Sequence, residues 1–292
     1  MAAPSGTPRE SPVFIFGSGR CGSTLLQSVV NSNPAFLIWG EHNGFLRFLA
    51  DAYFKTANTA SHRNIRVPGE SPAAQVERLR NPAYWGGWDN PLNSEGFEEH
   101  FRRFLRGIFV PEQLTATRWG FKEIRYGIHS RDRTPEFLQA CFPEARFLVI
   151  VRHPVDTVFS VLAAWHRDSA VTPVLLDRAL FESTRRWARQ YERLFLFHHS
   201  AQGRSLIIKY EDLIAARCLD ELWTFLEAPQ PASCRRVLES VKDACPKNDE
   251  FAHLIRARMG TYWKDLNAIT HQARRLYGYS EGWQADGHRA LK

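Results

Sequence analysis

Cysteine is scarce in this sequence and follows none of the spacings that cysteine-based sites use. The five cysteines are odd in number and form no C-x-x-C pair, which argues against a disulfide-stapled scaffold and against a cysteine-ligated zinc site. No uncharged run is long enough to span a bilayer, and the polar, proline-rich N-terminus contains no apolar signal segment. These absences predict a cytoplasmic protein that has no metal centre and no membrane span.

Motifs for binding nucleic acids are also missing, although the chain is basic. The formal net charge of +7 suits an anionic ligand, a nucleic acid or an anionic membrane equally well. However, the sequence contains no run of five basic residues, no aromatic RNA-binding motif and no zinc-finger spacing. The charge therefore indicates a small anionic ligand rather than a nucleic acid.

Short apolar runs alternate with helical periodicity, which is typical of an α/β fold with a central parallel sheet between two helical layers. Strands are predicted at 13–16, 36–39, 119–122, 147–151 and 205–208. A long amphipathic helix is predicted from the three- and four-residue steps between Leu180 and His198. A chain of 292 residues can form one such domain. We expect it to cover 12–292, after a flexible segment at 1–11.

The first predicted strand runs into a glycine-rich turn, VFIFGSGRCGSTLL, at 13–26. Glycines allow positive φ and close backbone approach, and the helix beginning near Thr24 offers free N–H groups and a favourable dipole to an anion. The spacing matches the nucleotide P-loop, except that Ser23 occupies the lysine position. Arg20 supplies positive charge instead, and its planar fork of donors suits a tetrahedral oxyanion. An ordinary tight turn is the alternative.

A second anion-binding pattern follows the apolar strand at 147–151. Arg152 comes directly after this strand, and Pro154 fits the first turn of a helix that carries Ser160 about two turns later. Both side chains are therefore expected at the sheet edge where open α/β proteins bind ligands. In the alternative interpretation, Arg152 merely pairs with Asp156.

These two patterns resemble those of sulfotransferases that use 3'-phosphoadenosine 5'-phosphosulfate (PAPS). Their phosphosulfate loop resembles GRCGSTLL, with Cys21 and Ser23 as departures, and their 3'-phosphate motif has an arginine followed eight residues later by a serine, as at Arg152 and Ser160. The resemblance implies a P-loop-like fold, PAPS as donor and adenosine 3',5'-bisphosphate as product. It also implies transfer of the sulfuryl group to a hydroxyl or amine group of an acceptor. The loop residues that it assigns to the donor are Gly19, Arg20, Cys21, Gly22, Ser23 and Thr24.

The motif layout is most similar to that of the tyrosylprotein sulfotransferase branch. In that branch a glutamate after the second strand acts as base, which implies this role for Glu41, and Lys122 resembles the lysine at the transferring sulfuryl group. Tyr210 in KYEDL resembles the tyrosine beside the nucleotide. The resemblance therefore implies catalysis by Glu41, Lys122 and Arg20 without a metal. The implied geometry assumes that the second strand neighbours the first.

Near the C-terminus, ARMGTYWKDL resembles a shortened form of another sulfotransferase motif. This resemblance implies that Arg258 and Gly260 contact the 3'-phosphate of the donor.

Other histidines and acids compete for the proposed roles. His42 adjoins Glu41 and is an alternative base, whereas His129 and His153 are interpreted as structural or solvent-facing residues. Glu123 adjoins Lys122 but should point to the opposite face of the strand.

The segment 47–117 matches nothing in the family resemblance and is predicted to bind the acceptor. Its periodicity fades and turn residues accumulate, while Tyr84, Trp85 and Trp88 could form an apolar wall for a small hydroxylated molecule. A peptide or sugar acceptor stays open, as does a surface insertion with a small aromatic core.

Two other function classes also stay open. A P-loop kinase would explain the loop, but it would normally need the loop lysine and a Mg²⁺-binding carboxylate at a strand end. A non-catalytic nucleotide or polyanion binder would leave Glu41 and Lys122 without a role.

Overall fold

Five parallel strands form one sheet in the order β2-β3-β1-β4-β5. The computed structural model describes residues 11–58, 70–83, 96–111, 118–129, 131–166, 172–240, 249–280 and 282–284. The strands are β1 (Val13–Gly17), β2 (Phe36–Trp39), β3 (Arg118–Glu123), β4 (Arg146–Val151) and β5 (Ser205–Lys209). The predicted α/β fold with a central parallel sheet is confirmed. Both ends of every predicted strand lie within one residue of the ends of an observed strand.

β3 lies between β1 and β2, so the expectation that the first two strands are neighbours is wrong. Ile15 of β1 pairs with Lys122 of β3, and Ile38 of β2 pairs with Gly120 of β3. A helical crossover does not have to join adjacent strands, so the helix α1 (Ser23–Asn31) can leave a position for β3. Glycine is required at position 120, where a Cβ would lie 1.7 Å from the carbonyl oxygen of Val13.

The two faces of the sheet carry separate apolar layers, because side chains alternate along each strand. Phe14 and Phe16 face the layer formed with α2 (Leu46–Asn58), α4 (Phe97–Phe109), α5 (Thr134–Cys141), α7 (Pro173–Ser200) and α12 (Trp263–Leu276). Val13 and Ile15 face the layer formed with α1, α8 (Tyr210–Ile214), α9 (Leu219–Phe225) and α10 (Ser233–Glu239). A third cluster joins α6 (Pro154–Trp165) and α11 (Glu250–Thr261) to α7 and α12. The remaining described helix is α3 (Pro72–Arg80).

The segment 47–117 is more regular than its sequence predicted, since α2 continues into it and both α3 and α4 lie within it. Tyr53 of α2 packs against Phe101 of α4 and Phe137 of α5, with ring centroids 6.0 and 5.4 Å apart. The turn residues that accumulate before α4 interrupt the helical periodicity of the segment, so α3 and α4 were not predicted. Tyr84, Trp85 and Trp88 lie outside the described residues.

The predicted long helix is α7, which spans 28 residues. Its apolar stripe is buried, including Leu180, Trp187 and Leu194, while charged residues such as Arg185 and Arg189 are exposed. None of the helices described by the structure combines the length and the apolar character that crossing a bilayer requires.

Candidate active site

The phosphate loop joins the carboxyl end of β1 to the start of α1. The helix begins at Ser23, directly after Gly22, so its first free N–H groups lie at the end of the loop. The backbone takes positive φ at Arg20 (64°) and Gly22 (93°). The loop therefore has the strand–turn–helix geometry that the sequence predicts.

Two aromatic rings lie against the glycines of this loop. A Cβ on Gly22 would lie 2.3 Å from Cδ2 of Tyr210, and a Cβ on Gly19 would lie 2.3 Å from the Trp165 ring. Only glycine permits these close approaches. The predicted donor-site tyrosine therefore contacts the loop directly, whereas Trp165 was not among the predicted site residues.

Arg20, Arg152 and Ser160 are brought together, although 140 positions separate the first from the last. Arg20 Nε donates to Ser160 Oγ at 3.2 Å, and Arg152 Nη1 donates to the Arg20 carbonyl at 3.3 Å. The Arg152 guanidinium lies 4.6 Å from the centre of the Tyr210 ring. Its Nε is buried and has no hydrogen-bond partner among the described residues.

The predicted base and the predicted lysine contact each other. Lys122 Nζ donates to Glu41 Oε1 at 2.5 Å, and Arg125 Nη1 donates to Glu41 Oε2 at 2.9 Å. Burial alone would raise the pKa of Glu41, but the hydrogen bonds and charges of Lys122 and Arg125 hold it below its ordinary value. Glu41 is therefore an ionised carboxylate at neutral pH, with both oxygens paired.

Glu123 lies on the opposite face of β3 from Lys122, as strand alternation predicts. It is fully buried and accepts hydrogen bonds from the backbone N–H groups of His42 and Gly44, at 3.2 and 2.8 Å. Arg125 also donates to it at 2.7 Å. Glu123 thus fixes the turn that presents Glu41, and Arg125 links the two carboxylates.

The alternative base, His42, is enclosed by aromatic rings. Its ring centroid lies 4.5 Å from that of Phe121 and 5.0 Å from that of Phe45, and its Nε2 lies 3.1 Å from the Tyr126 hydroxyl. Burial lowers the pKa of His42 despite the nearby Glu123. The ring therefore lies within the core layer.

The other two histidines have the positions predicted for them. His129 is exposed. His153 is buried and caps α6, accepting from the N–H of Val155 at 3.3 Å.

Arg258 and Gly260 lie on α11 and are not brought to the Arg152–Ser160 pair. The Arg258 guanidinium forms an ion pair with Asp177 of α7 and also hydrogen-bonds to the Tyr262 hydroxyl, while Gly260 is buried within the helix. On the same helix, Arg256 lies 4.8 Å from the centre of the Phe159 ring, next to Ser160.

Two residues of α7 that were not predicted as site residues bind the backbone at the strand ends beneath the site. The buried side-chain amide of Gln190 reaches the carbonyls of Gly17, Ile124 and Tyr126 at 3.0, 2.9 and 2.7 Å. Tyr191 accepts from the N–H of Ser18 at 3.1 Å and donates to a carbonyl of β4 at 2.9 Å. Gln190 is a polar residue on the apolar face of the helix, and this position was the signal in the sequence that could have indicated a structural role for it.

Comparison with known proteins agrees with this geometry. Residues 12–229 match the sequence model of a sulfotransferase family. No curated protein matches the chain. The fold is similar to that of sulfotransferase STF9 from Mycobacterium avium, with 15% identity, a TM-score of 0.51, and coverage of 92% of this chain and 77% of that one.

A second similar fold is the sulfotransferase domain of the olefin synthase from Synechococcus PCC 7002. The identity is 17% and the TM-score 0.51, with coverage of 95% of this chain and 98% of that one. At these identities the two structures support the fold alone. The family match covers most of the chain and includes the phosphate loop, the Arg152–Ser160 pair and Tyr210. The chain therefore belongs to the sulfotransferase family.

Proposed function

We propose that this sulfotransferase transfers the sulfuryl group of PAPS to a hydroxyl group of its acceptor, with Glu41 as general base. The observation that carries the proposal is the meeting of Arg20, Arg152 and Ser160 at the ends of β1 and β4. The buried, unpartnered Nε of Arg152 and the glycine cradle at Gly22 both fit a phosphorylated nucleotide.

Each part of the donor has candidate partners in this site. The free N–H groups at the start of α1, together with Arg20, would hold the 5'-phosphosulfate. Arg152 and Ser160 would hold the 3'-phosphate, and Tyr210 would position the Arg152 guanidinium. Cys21 is buried beneath the loop, and burial raises the pKa of its thiol. We assign it to packing within the loop.

Sulfuryl transfer moves an electron-poor group between two oxygens, so positioning and charge stabilisation dominate its catalysis. The negative charge of the donor would draw Lys122 away from Glu41 Oε1, while Arg125 keeps Glu41 Oε2 in place. Glu41 would then accept the proton of the acceptor hydroxyl. Lys122 and Arg20 would stabilise the charge that develops on the departing phosphate oxygen.

We also propose that 12–292 acts as one domain, in which the segment 47–117 contributes to the acceptor side. Helix α4 approaches the end of β2 near Glu41, because Trp39 Nε1 donates to the Phe109 carbonyl at 2.7 Å. Within the same segment, α2 and α4 line an open apolar groove of about 460 Å³. We propose that the acceptor is a small hydroxylated molecule. The tyrosylprotein branch stays a prediction.

Adenosine 3',5'-bisphosphate is expected to bind without a metal, and about ten- to a hundredfold more tightly than AMP. The physical reason is the charge-assisted contact that Arg152 and Ser160 offer to the 3'-phosphate, which is worth about 1.5 to 3 kcal/mol. Arg152→Ala should remove most of this preference. Isothermal titration calorimetry measures both affinities.

The titration also tests the competing functions. ATP with Mg²⁺ is the ligand expected of a kinase, and a short oligonucleotide is the one expected of a polyanion binder. Equal affinity for AMP and the bisphosphate, or tighter binding of either competitor, would contradict the donor assignment.

Gly22→Ala is expected to weaken bisphosphate binding about five- to a hundredfold. The new Cβ would overlap the Tyr210 ring, and the positive φ of 93° disfavours alanine. Together these two effects would strain the loop by about 1–3 kcal/mol. Gly203→Ala is the matched control, since Gly203 also has a positive φ but no atom within 4 Å of its Cβ position. Wild-type affinity in Gly22→Ala would show that the loop does not bind the donor.

A further inference from the structure

A cavity of about 220 Å³ lies beside the phosphate loop, between α6 and α7. Ser18 and Gly19 form its loop side. Its apolar walls come from Val158, Val161, Trp165 and Trp187. This volume is below the range usual for drug-sized ligands and suits a molecule with about one ring.

Arg186 is a cationic residue on the wall of this cavity. Its side chain forms no hydrogen bond, ion pair or ring contact with any residue that the structure describes. Glu182, the acidic residue on the same wall, is engaged by Arg178 at 2.8 Å. Arg186 is exposed, so water also solvates its charge. Desolvation of part of the side chain and the nearby charge of Arg125 lower its pKa.

The position of Arg186 relates it to the proposed transfer site. It precedes Gln190 by one helical turn, and Gln190 hydrogen-bonds to the carbonyls at the carboxyl ends of β1 and β3. Arg125, whose charge acts on Arg186, holds Glu41. A small molecule in the cavity would therefore lie beside the loop, next to Ser18 and Gly19.

Most of the arginines and lysines discussed at the site have either a proposed partner in the donor or an acidic partner in the protein. Arg20, Lys122 and Arg152 have partners in the proposed donor, and Arg125 is paired with Glu41 and Glu123. Arg186 has neither an acidic partner among the described residues nor a role toward the donor. Arg186 thus brings to this cavity a positive charge that no described acidic residue pairs.

We propose that Arg186 binds an oxyanion of the acceptor in this cavity, so that the substrates are small hydroxylated compounds that carry a carboxylate or a similar oxyanion. The planar guanidinium matches a carboxylate in two-point contact, and the apolar walls accept its carbon skeleton. The inference rests on the proposed transfer reaction, which gives the hydroxyl group its role.

The test compares 4-hydroxybenzoate and 4-hydroxyphenylacetate with the corresponding neutral amides. Each probe is titrated calorimetrically into the protein saturated with adenosine 3',5'-bisphosphate, and transfer from PAPS is followed in parallel. We expect at least one acid to bind about ten- to a hundredfold more tightly than its amide. Arg186→Gln should abolish this preference without changing the affinity for the amide.

Two further variants keep the test specific. Arg186→Lys retains the charge and should recover part of the preference for the acid. Arg189→Gln removes an exposed arginine of the same helix that does not line the cavity, so it should behave as wild type. Acids and amides that bind equally to the wild type would overturn the inference, as would an equal loss of both in Arg186→Gln.

The outcomes separate this inference from the proposed function. Failure of the bisphosphate to bind would contradict the donor assignment, and the acid–amide comparison would then be made on the protein alone. Binding of the bisphosphate without a preference for the acids would contradict the role of Arg186 only.

Discussion

Glu41→Gln is expected to lower kcat about a hundred- to ten-thousandfold, the usual contribution of a positioned general base. Glutamine keeps the size but only one acceptor oxygen, so either Lys122 or Arg125 loses its acceptor. The amide also cannot take a proton. The affinity for adenosine 3',5'-bisphosphate should change little, because Glu41 has no assigned contact with the donor. Steady-state turnover from PAPS at saturating acceptor, together with calorimetry, measures both effects.

The control for this prediction is Glu221→Gln, which removes an exposed carboxylate on α9 and should leave kcat unchanged. His42→Gln tests the alternative base. Because His42 is enclosed by Phe45, Phe121 and Tyr126, we expect its replacement to affect folding stability more than kcat. Near-native turnover in Glu41→Gln, with loss of turnover in a folded His42→Gln, would transfer the role of base to His42.

Lys122→Met is expected to lower kcat about a hundred- to a thousandfold, the loss typical of one preorganised donor at a developing charge. Methionine keeps an unbranched apolar chain in a position where only 7% of the residue is exposed, so folding should be preserved. Lys122 acts in two ways in the proposed mechanism, because it stabilises the departing oxygen and also holds Glu41 before the donor binds. Single-turnover measurements of sulfuryl transfer report the chemical step directly.

Lys264→Met is the matched control, since Lys264 is exposed on α12. The double variant Glu41→Gln/Lys122→Met adds a second test. If the two residues act in one step, the combined loss should be smaller than the product of the two single losses. A Lys122→Met enzyme with unchanged single-turnover rate would exclude the assigned role.

The order of the elements and the position of the phosphate loop could be predicted from the sequence. Apolar runs such as FLVIV and the glycine turn at 17–22 depend on local patterns, which determine strands and turns through side-chain periodicity and backbone freedom. Arg152 and Ser160 could be assigned to the same site because both follow one strand closely.

Contacts between distant segments were less predictable. The family resemblance implies that Arg258 contacts the 3'-phosphate, which stays a prediction. In the structure its guanidinium pairs with Asp177, which lies 81 residues earlier in the chain. Gln190 stands out as a polar residue on an apolar helix face, but its contacts and those of Tyr191 with the ends of β1 and β4 could not be predicted from that position. These contacts depend on how α7 and α11 pack across the sheet.

The sequence by itself thus determined the parallel α/β architecture, the phosphate loop and the set of charged residues at the strand ends, because each follows from patterns within a few neighbouring residues. Only the tertiary structure decided that β3 lies between β1 and β2. That order brings Lys122 to Glu41 and, through Arg125, links both to the other face of the sheet. The tertiary structure also showed that Arg186 lines a cavity beside the loop. Ion pairs and cavities form between segments far apart in the chain, so their geometry is fixed by packing and not by local sequence.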